Sequence, residues 1–144
     1  MWNNLKTLSE RREAASKLLI QLLESDGDTA ASEQSFKNSK GKSTSIVKSK
    51  MHGVIHITTT NSVSLNGVFP FDDGDGSESV FSDKDYVCFV CMDKEKRTLF
   101  FFVSPDKLKG KTSIERSKLV SNSDFSGIEK NGQFKISYKK GKRN

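Results

Sequence analysis

The sequence has little of what most soluble domains use to build a core. Only 33% of its 144 residues are apolar, against a usual half or so, so the core is compact and long polar segments must lie outside it. No apolar run approaches the roughly 18 residues of a membrane span, and no signal-peptide pattern opens the chain. There are two cysteines, two prolines, two histidines and one tryptophan. Two thiols three residues apart inside an apolar run do not make a disulfide framework, so the expected compartment is the reducing cytosol and no membrane partner is expected. A glycine-rich phosphate loop, a Gly-x-Ser-x-Gly elbow and a His-Glu-x-x-His motif are also missing, which removes the commonest nucleotide-hydrolase, esterase and metalloprotease readings.

What the chain does have is one strongly apolar stretch, Asp85 to Leu108. Tyr86 to Met92 and Leu99 to Val103 are apolar at almost every position, which predicts two central strands covered on both faces. The charged residues Asp93 to Arg97 between them have the length and polarity of a hairpin loop. Ser104, Pro105 and Asp106 then supply a hydroxyl, a proline and an acid at the positions that open a helix, so a short helix is expected after Ser104.

Around this hairpin, residues 4 to 26 read as an amphipathic helix, with Leu5, Leu8, Ala15, Leu18, Leu19, Leu22 and Leu23 at spacings of three and four. Thr7 and Glu10 fit a capping box and Gly27 a stop; Ile20, outside the main stripe, leaves room for a dimer contact. Residues 26 to 45 are polar apart from Phe36 and read as a flexible loop. Strands are expected at Ile46 to Lys50 and Gly53 to Thr60. Val63 to Phe71 is a strand interrupted at Asn66-Gly67, or two short strands paired there. Asp72 to Asp85 reads as an acidic loop, and Lys109 to Gly127 as a Ser- and Lys-rich segment with few apolar anchors. Gln133 to Tyr138 alternates Phe134, Ile136 and Tyr138 against Lys135 and Ser137, the pattern of a half-buried edge strand, and 139 to 144 is too polar to order alone. The sum is a single α+β domain over 1–144. A mainly antiparallel central sheet is flanked by the N-terminal helix and the short helix after Ser104, with 26–45 and 139–144 flexible.

Several constellations invite chemistry. Cys88 and Cys91 have Cys-x-x-Cys spacing, but positions three apart on a regular strand point to opposite faces, so buried structural thiols are the expectation. Asp73, Asp75 and their neighbours resemble the start of a calcium loop, yet Glu78 stands where the turn demands glycine and Lys84 where a bidentate acid is required. A Ser-His-Asp arrangement is conceivable only around His52 or His56.

Charge is the clearest functional signal. The net charge is +6, and the bases are segregated: Lys37, Lys40, Lys42, Lys48 and Lys50 in one segment, Lys135, Lys139, Lys140, Lys142 and Arg143 in another, with Tyr138 among the latter. Amines beside an aromatic ring suit contacts to a nucleic-acid backbone, and the dominance of lysine over arginine points away from base-specific reading. These residues are the expected nucleic-acid contacts.

The order of helix Leu5 to Leu23, acids Asp26, Asp28 and Glu33, Ser45-Ile46-Val47-Lys48, and strands ending in Asp93 and at Ser104-Pro105-Asp106-Lys107-Leu108 resembles the restriction-endonuclease-like PD-(D/E)XK fold. That resemblance implies an Mg²⁺-dependent nuclease using Asp26, Asp28 or Glu33 with Lys48. The acid required two residues before Lys48 is Ile46, which implies instead a non-catalytic or degenerate member, with no cofactor and no catalytic residue. The expected function is therefore nucleic-acid binding through lysines. The alternatives are a small protein-interaction module of phage or bacterial inhibitor type and, third, the metal-dependent nuclease itself.

Overall fold

The computed structural model describes residues 8–28, 32–37, 43–59, 68–70, 84–93, 95–109, 111 and 113–138. Helix α1 (Leu8–Ser25) is followed by strands β1 (Ser32–Lys37), β2 (Ser43–Ser49), β3 (Gly53–Thr59) and β4 (Val68–Pro70). Then come β5 (Tyr86–Met92), β6 (Thr98–Val103), a 3₁₀ turn (Pro105–Leu108), β7 (Ser113–Glu115), α2 (Arg116–Asn122), β8 (Phe125–Lys130) and β9 (Gln133–Tyr138). Seven strands form one sheet in the order β1-β2-β3-β5-β6-β8-β9, and β4 and β7 pair separately. Every neighbouring pair in the large sheet is antiparallel except β3 and β5, which run parallel. The protein is thus a single-domain α+β fold with an N-terminal helix.

The expected hairpin is the centre of this sheet. β5 and β6 pair from Val87 opposite Val103 to Met92 opposite Thr98, and both are buried almost throughout. Alternate residues serve two cores. Cys88, Val90, Met92, Phe100 and Phe102 pack with Leu19, Leu22 and Leu23 of α1, while Val87, Phe89, Cys91, Phe101 and Val103 pack with Leu108, Ile114 and Leu119 beneath α2. A strand sandwiched between two apolar layers has no polar face to show, which is why its sequence runs apolar without alternation. The loop between them is held by Asp93, 5% exposed, which accepts N–H bonds from Glu95 (3.0 Å) and Arg97 (2.9 Å) and the Arg97 guanidinium at 2.6 Å. Burial raises the pKa of this carboxyl, but the Arg97 backbone and guanidinium bonds, the Arg97 charge and the Glu95 N–H outweigh it, and the group sits below its usual range.

Helix α1 stops where Gly27 takes φ +97°, a conformation that costs glycine little. The last carbonyls are satisfied there: Leu23 accepts from Asp26 (3.1 Å) and Asp28 (3.0 Å), and Glu24 from Gly27 (3.1 Å). Ile20, outside the main stripe, packs against the α1 core as a half-buried residue. The helix lies close on the sheet because β8 has no side chain at Gly127: a Cβ built there would be 2.4 Å from a Leu22 methyl.

Three expectations change. The segment read as a loop from 26 to 45 contains β1, paired antiparallel along its whole length with β2; its polar residues carry no core signal, and backbone pairing with a neighbouring strand supplies what propensity does not. The helix after Ser104 is one 3₁₀ turn in which Ser104 makes no capping bond; its hydroxyl donates instead to Asp124 at 2.5 Å, and only Leu108 is buried. The Ser- and Lys-rich segment holds β7 and α2, two short elements anchored by Ile114 and Leu119. β4 pairs with β7; the proposed Thr7–Glu10 capping box, the Asn66-Gly67 turn and most of the acidic loop lie outside the described residues.

Replacing Gly127 with alanine forces Leu22 or the helix to move, and overpacking of this kind costs about 1–3 kcal/mol. Denaturant unfolding of Gly127→Ala is expected to show a lowered midpoint with an unchanged slope, and an unaltered midpoint would contradict the close helix–sheet approach.

Candidate functional site

One end of the sheet gathers polar and aromatic side chains from five elements. α1 ends there with Asp26 and Asp28, the β2–β3 turn supplies Ser49, Lys50 and His52, β5 begins with Tyr86, β8 with Phe125 and β9 ends with Tyr138. In a flat sheet β3 and β9 would be four interstrand spacings, about 19 Å, apart. Instead the Tyr138 hydroxyl lies 3.4 Å from His52 Nε2, so the sheet curls around α1 until the end of its last strand, β9, meets the β2–β3 turn. The hydroxyl donates to Asp26 Oδ2 at 2.6 Å, completing a clasp between helix, turn and last strand.

Aromatic rings fill the closure. Phe125 stacks on Phe102 (centroids 4.2 Å, 10° between planes) and on His52 (4.6 Å, 28°), with Tyr138 at 5.3 Å and 27°. Tyr86 meets Phe125 edge-on at 5.1 Å. Phe102 and Phe125 are buried, whereas His52, Tyr86 and Tyr138 are half-buried, so a column of stacked rings runs from the core to the surface.

The turn itself is fixed from below. Asp28, 3% exposed, accepts the Ser49 hydroxyl in a short hydrogen bond and the Lys50 N–H at 3.2 Å, and Ser49 Oγ accepts the His52 N–H at 3.0 Å. The Ser49 hydroxyl therefore points to a carboxylate and the His52 ring to a tyrosine, an arrangement that braces a turn and does not activate a serine. Gly53 follows with φ +86°, where a Cβ would strike the Asp85 carboxylate; that carboxylate accepts the Val54 N–H at 2.8 Å. On the other flank Asp124 is held by Ser104 and by Lys107 Nζ at 3.1 Å.

Burial depresses the pKa of His52, partly opposed by the charges of Asp28 and then Asp26. Burial raises that of Tyr86, helped by Asp124 and Asp85. Four aspartates thus surround the rings.

The expected site residues fall into distinct places. Lys50 is exposed on the turn beside His52, and Tyr138 is in the clasp. Lys48 is exposed on β2, one residue from Val47, which faces α1, so by strand alternation Lys48 is on the opposite face. Lys135 is exposed on β9 between Phe134 and Ile136, which pack on the α1 side, and it too faces away. Lys37 ends β1 opposite Ser43, and Glu33 pairs with Val47. Lys40, Lys42, Lys139, Lys140, Lys142 and Arg143 lie outside the described residues. For the nuclease set, Asp26 and Asp28 meet Tyr138, Ser49 and the Lys50 backbone, while Lys48 leaves on the other face. Cys88 and Cys91 belong to different cores. Burial raises both thiol pKa values, that of Cys91 to about 11 with Arg116 opposing and Asp93 adding. Among the described residues no group of three or more His, Cys, Asp and Glu side chains is arranged to hold a metal, and no helix is long and apolar enough to cross a membrane. His52, Phe125, Tyr86 and Asp124 were not marked by sequence as a unit, because their contacts join residues far apart in the chain.

A histidine whose pKa is lower in the folded protein than its ordinary 6.5 makes the unfolded chain the better proton binder. Its contribution is fully present above pH 6.5 and is lost as pH falls through the depressed value. Thermal unfolding of the wild type between pH 7.5 and 5 is expected to lose stability more steeply than His52→Gln, and parallel profiles would contradict the burial of this ring.

Comparison with known proteins gave no match: no family model fits the chain, and no curated protein or solved structure is similar to it.

Proposed function

We propose that this protein binds nucleic acid through its lysines, as a non-catalytic domain. The observation that supports this reading best is the closure of the sheet. Tyr138 reaches His52, so β9, which leads directly into Lys139, Lys140, Lys142 and Arg143, ends beside the turn that carries exposed Lys50. The end of one basic segment, at Lys50, and the start of the other, after Tyr138, therefore lie at one corner, while Lys37 lies at the opposite end of β2. Amines that meet phosphates neutralise them and release their counterions, and the net charge of +6 adds long-range attraction.

The nearest carboxylates favour a structural role. Asp28 is buried against Ser49 and the Lys50 N–H, and Asp26 accepts from Tyr138. Together with Ile46 in the place of a metal-binding acid and Lys48 on the far face, this favours a degenerate relative of the nuclease pattern over an Mg²⁺-dependent enzyme. A protein-interaction module is the second reading. It has in its favour that β9 is the last strand of the sheet and can add a partner strand along its outer edge.

Fluorescence anisotropy with labelled DNA and RNA decides between them. Binding is expected at low salt, with the logarithm of the affinity falling linearly against the logarithm of salt by about 0.9 per phosphate contacted. Lys50→Ala and Lys140→Ala are each expected to weaken binding to all sequences and to reduce that slope by about one. No binding to any DNA or RNA at low salt would refute the proposal, and recovery of a stoichiometric, nuclease-resistant protein partner would favour the interaction module.

A further inference from the structure

The ring column described above does not end in the core. Phe102 and Phe125 are buried and stacked, and the column continues into His52 and Tyr138, half-buried rings whose planes lie 28° and 27° from Phe125. Tyr86 stands edge-on beside them, 6.3 Å from His52 and at 81°. Rings that are half-buried leave part of their area to water, and a further planar ring can take the water's place.

The surroundings decide which ring. Asp26 and Asp28 are close enough to act on the charge of His52, and Asp85 and Asp124 on that of Tyr86. Phosphates are therefore repelled from the rings themselves, while Lys50 at their rim attracts them. A duplex keeps its bases stacked inside, so it can set its phosphates on the amines but offers the rings only the charged backbone that the aspartates repel. A single strand can lay its phosphates along the amines and turn a base inward over the rings. The base is the uncharged part of the nucleotide, and the aspartates do not oppose it.

From this geometry we infer that His52, Tyr86 and Tyr138 form a stacking platform for an unpaired base, and that the preferred ligand is single-stranded nucleic acid. The inference rests on the nucleic-acid reading above. It adds to it the strandedness of the ligand and the residues that set it.

Three labelled probes with the same number of phosphates separate the two levels: a single-stranded oligonucleotide, the same backbone with abasic sites in place of bases, and a duplex. They are compared on the wild-type protein by anisotropy at one low salt concentration, so the result does not depend on how a variant folds. The single strand is expected to bind about tenfold more tightly than the abasic strand, the scale of one stacked base, and more tightly than the duplex. Tyr138→Leu is expected to bring the single strand towards the abasic affinity. Equal binding of all three probes, or tightest binding of the duplex, would overturn the platform and leave the lysine reading standing. Failure of all three to bind would overturn the lysine reading, and the platform with it.

Discussion

The fold depends on a closure that a flat sheet could not make. Seven strands laid side by side put β3 and β9 well beyond side-chain reach, and they meet only because the sheet wraps α1. The Tyr138 hydroxyl sits at the meeting point, donating to Asp26 on the helix and facing His52 on the turn. Gly127 allows the helix to sit deep enough in the curl for this to happen, and Asp28 holds the turn at the right height by accepting from Ser49 and Lys50. Asp26, Asp28, Ser49, His52 and Tyr138 satisfy one another at this end, as buried and half-buried polar groups must.

The same curl explains how a chain with so few apolar residues can fold. The residues of β5 and β6 are used twice, one set against α1 and the other against Leu108, Ile114 of β7 and Leu119 of α2. A single apolar hairpin therefore furnishes the middle of two layers, and the polar segments are left to the margins. The two cysteines follow from this arrangement. They are three apart on a strand, face different layers, and have thiols whose protons burial makes harder to remove, which is the chemistry of packing residues.

Local patterns that act through burial were legible in the sequence. The apolar runs of β5 and β6, the stripe of α1, the glycine stop at Gly27 and the alternation of β9 each declare a face or an end within a few residues. What was not legible depends on partners distant in sequence. β1 is polar and becomes a strand because β2 offers its backbone; α2 is seven residues long, too short for a helical period to stand out above its serines and lysines. The site lay beyond reach for the same reason. Tyr138 and His52 are 86 residues apart, and neither residue alone differs from an ordinary edge-strand tyrosine or surface histidine. The charge pattern named Lys50 and Tyr138 as belonging to basic segments, and the curl brings these two residues to one corner.

The last strand closes onto the β2–β3 turn, so that Tyr138 and Lys50 stand at one corner. The most direct measurement is the nuclear Overhauser spectrum of the free protein in solution, with the His52 and Tyr138 ring protons assigned. Cross-peaks from the His52 ring to both Tyr138 and Phe125 are predicted. Cross-peaks to Phe125 alone, with those of the β8–β9 ladder intact, would contradict the closure and remove the shared corner on which the proposed function rests.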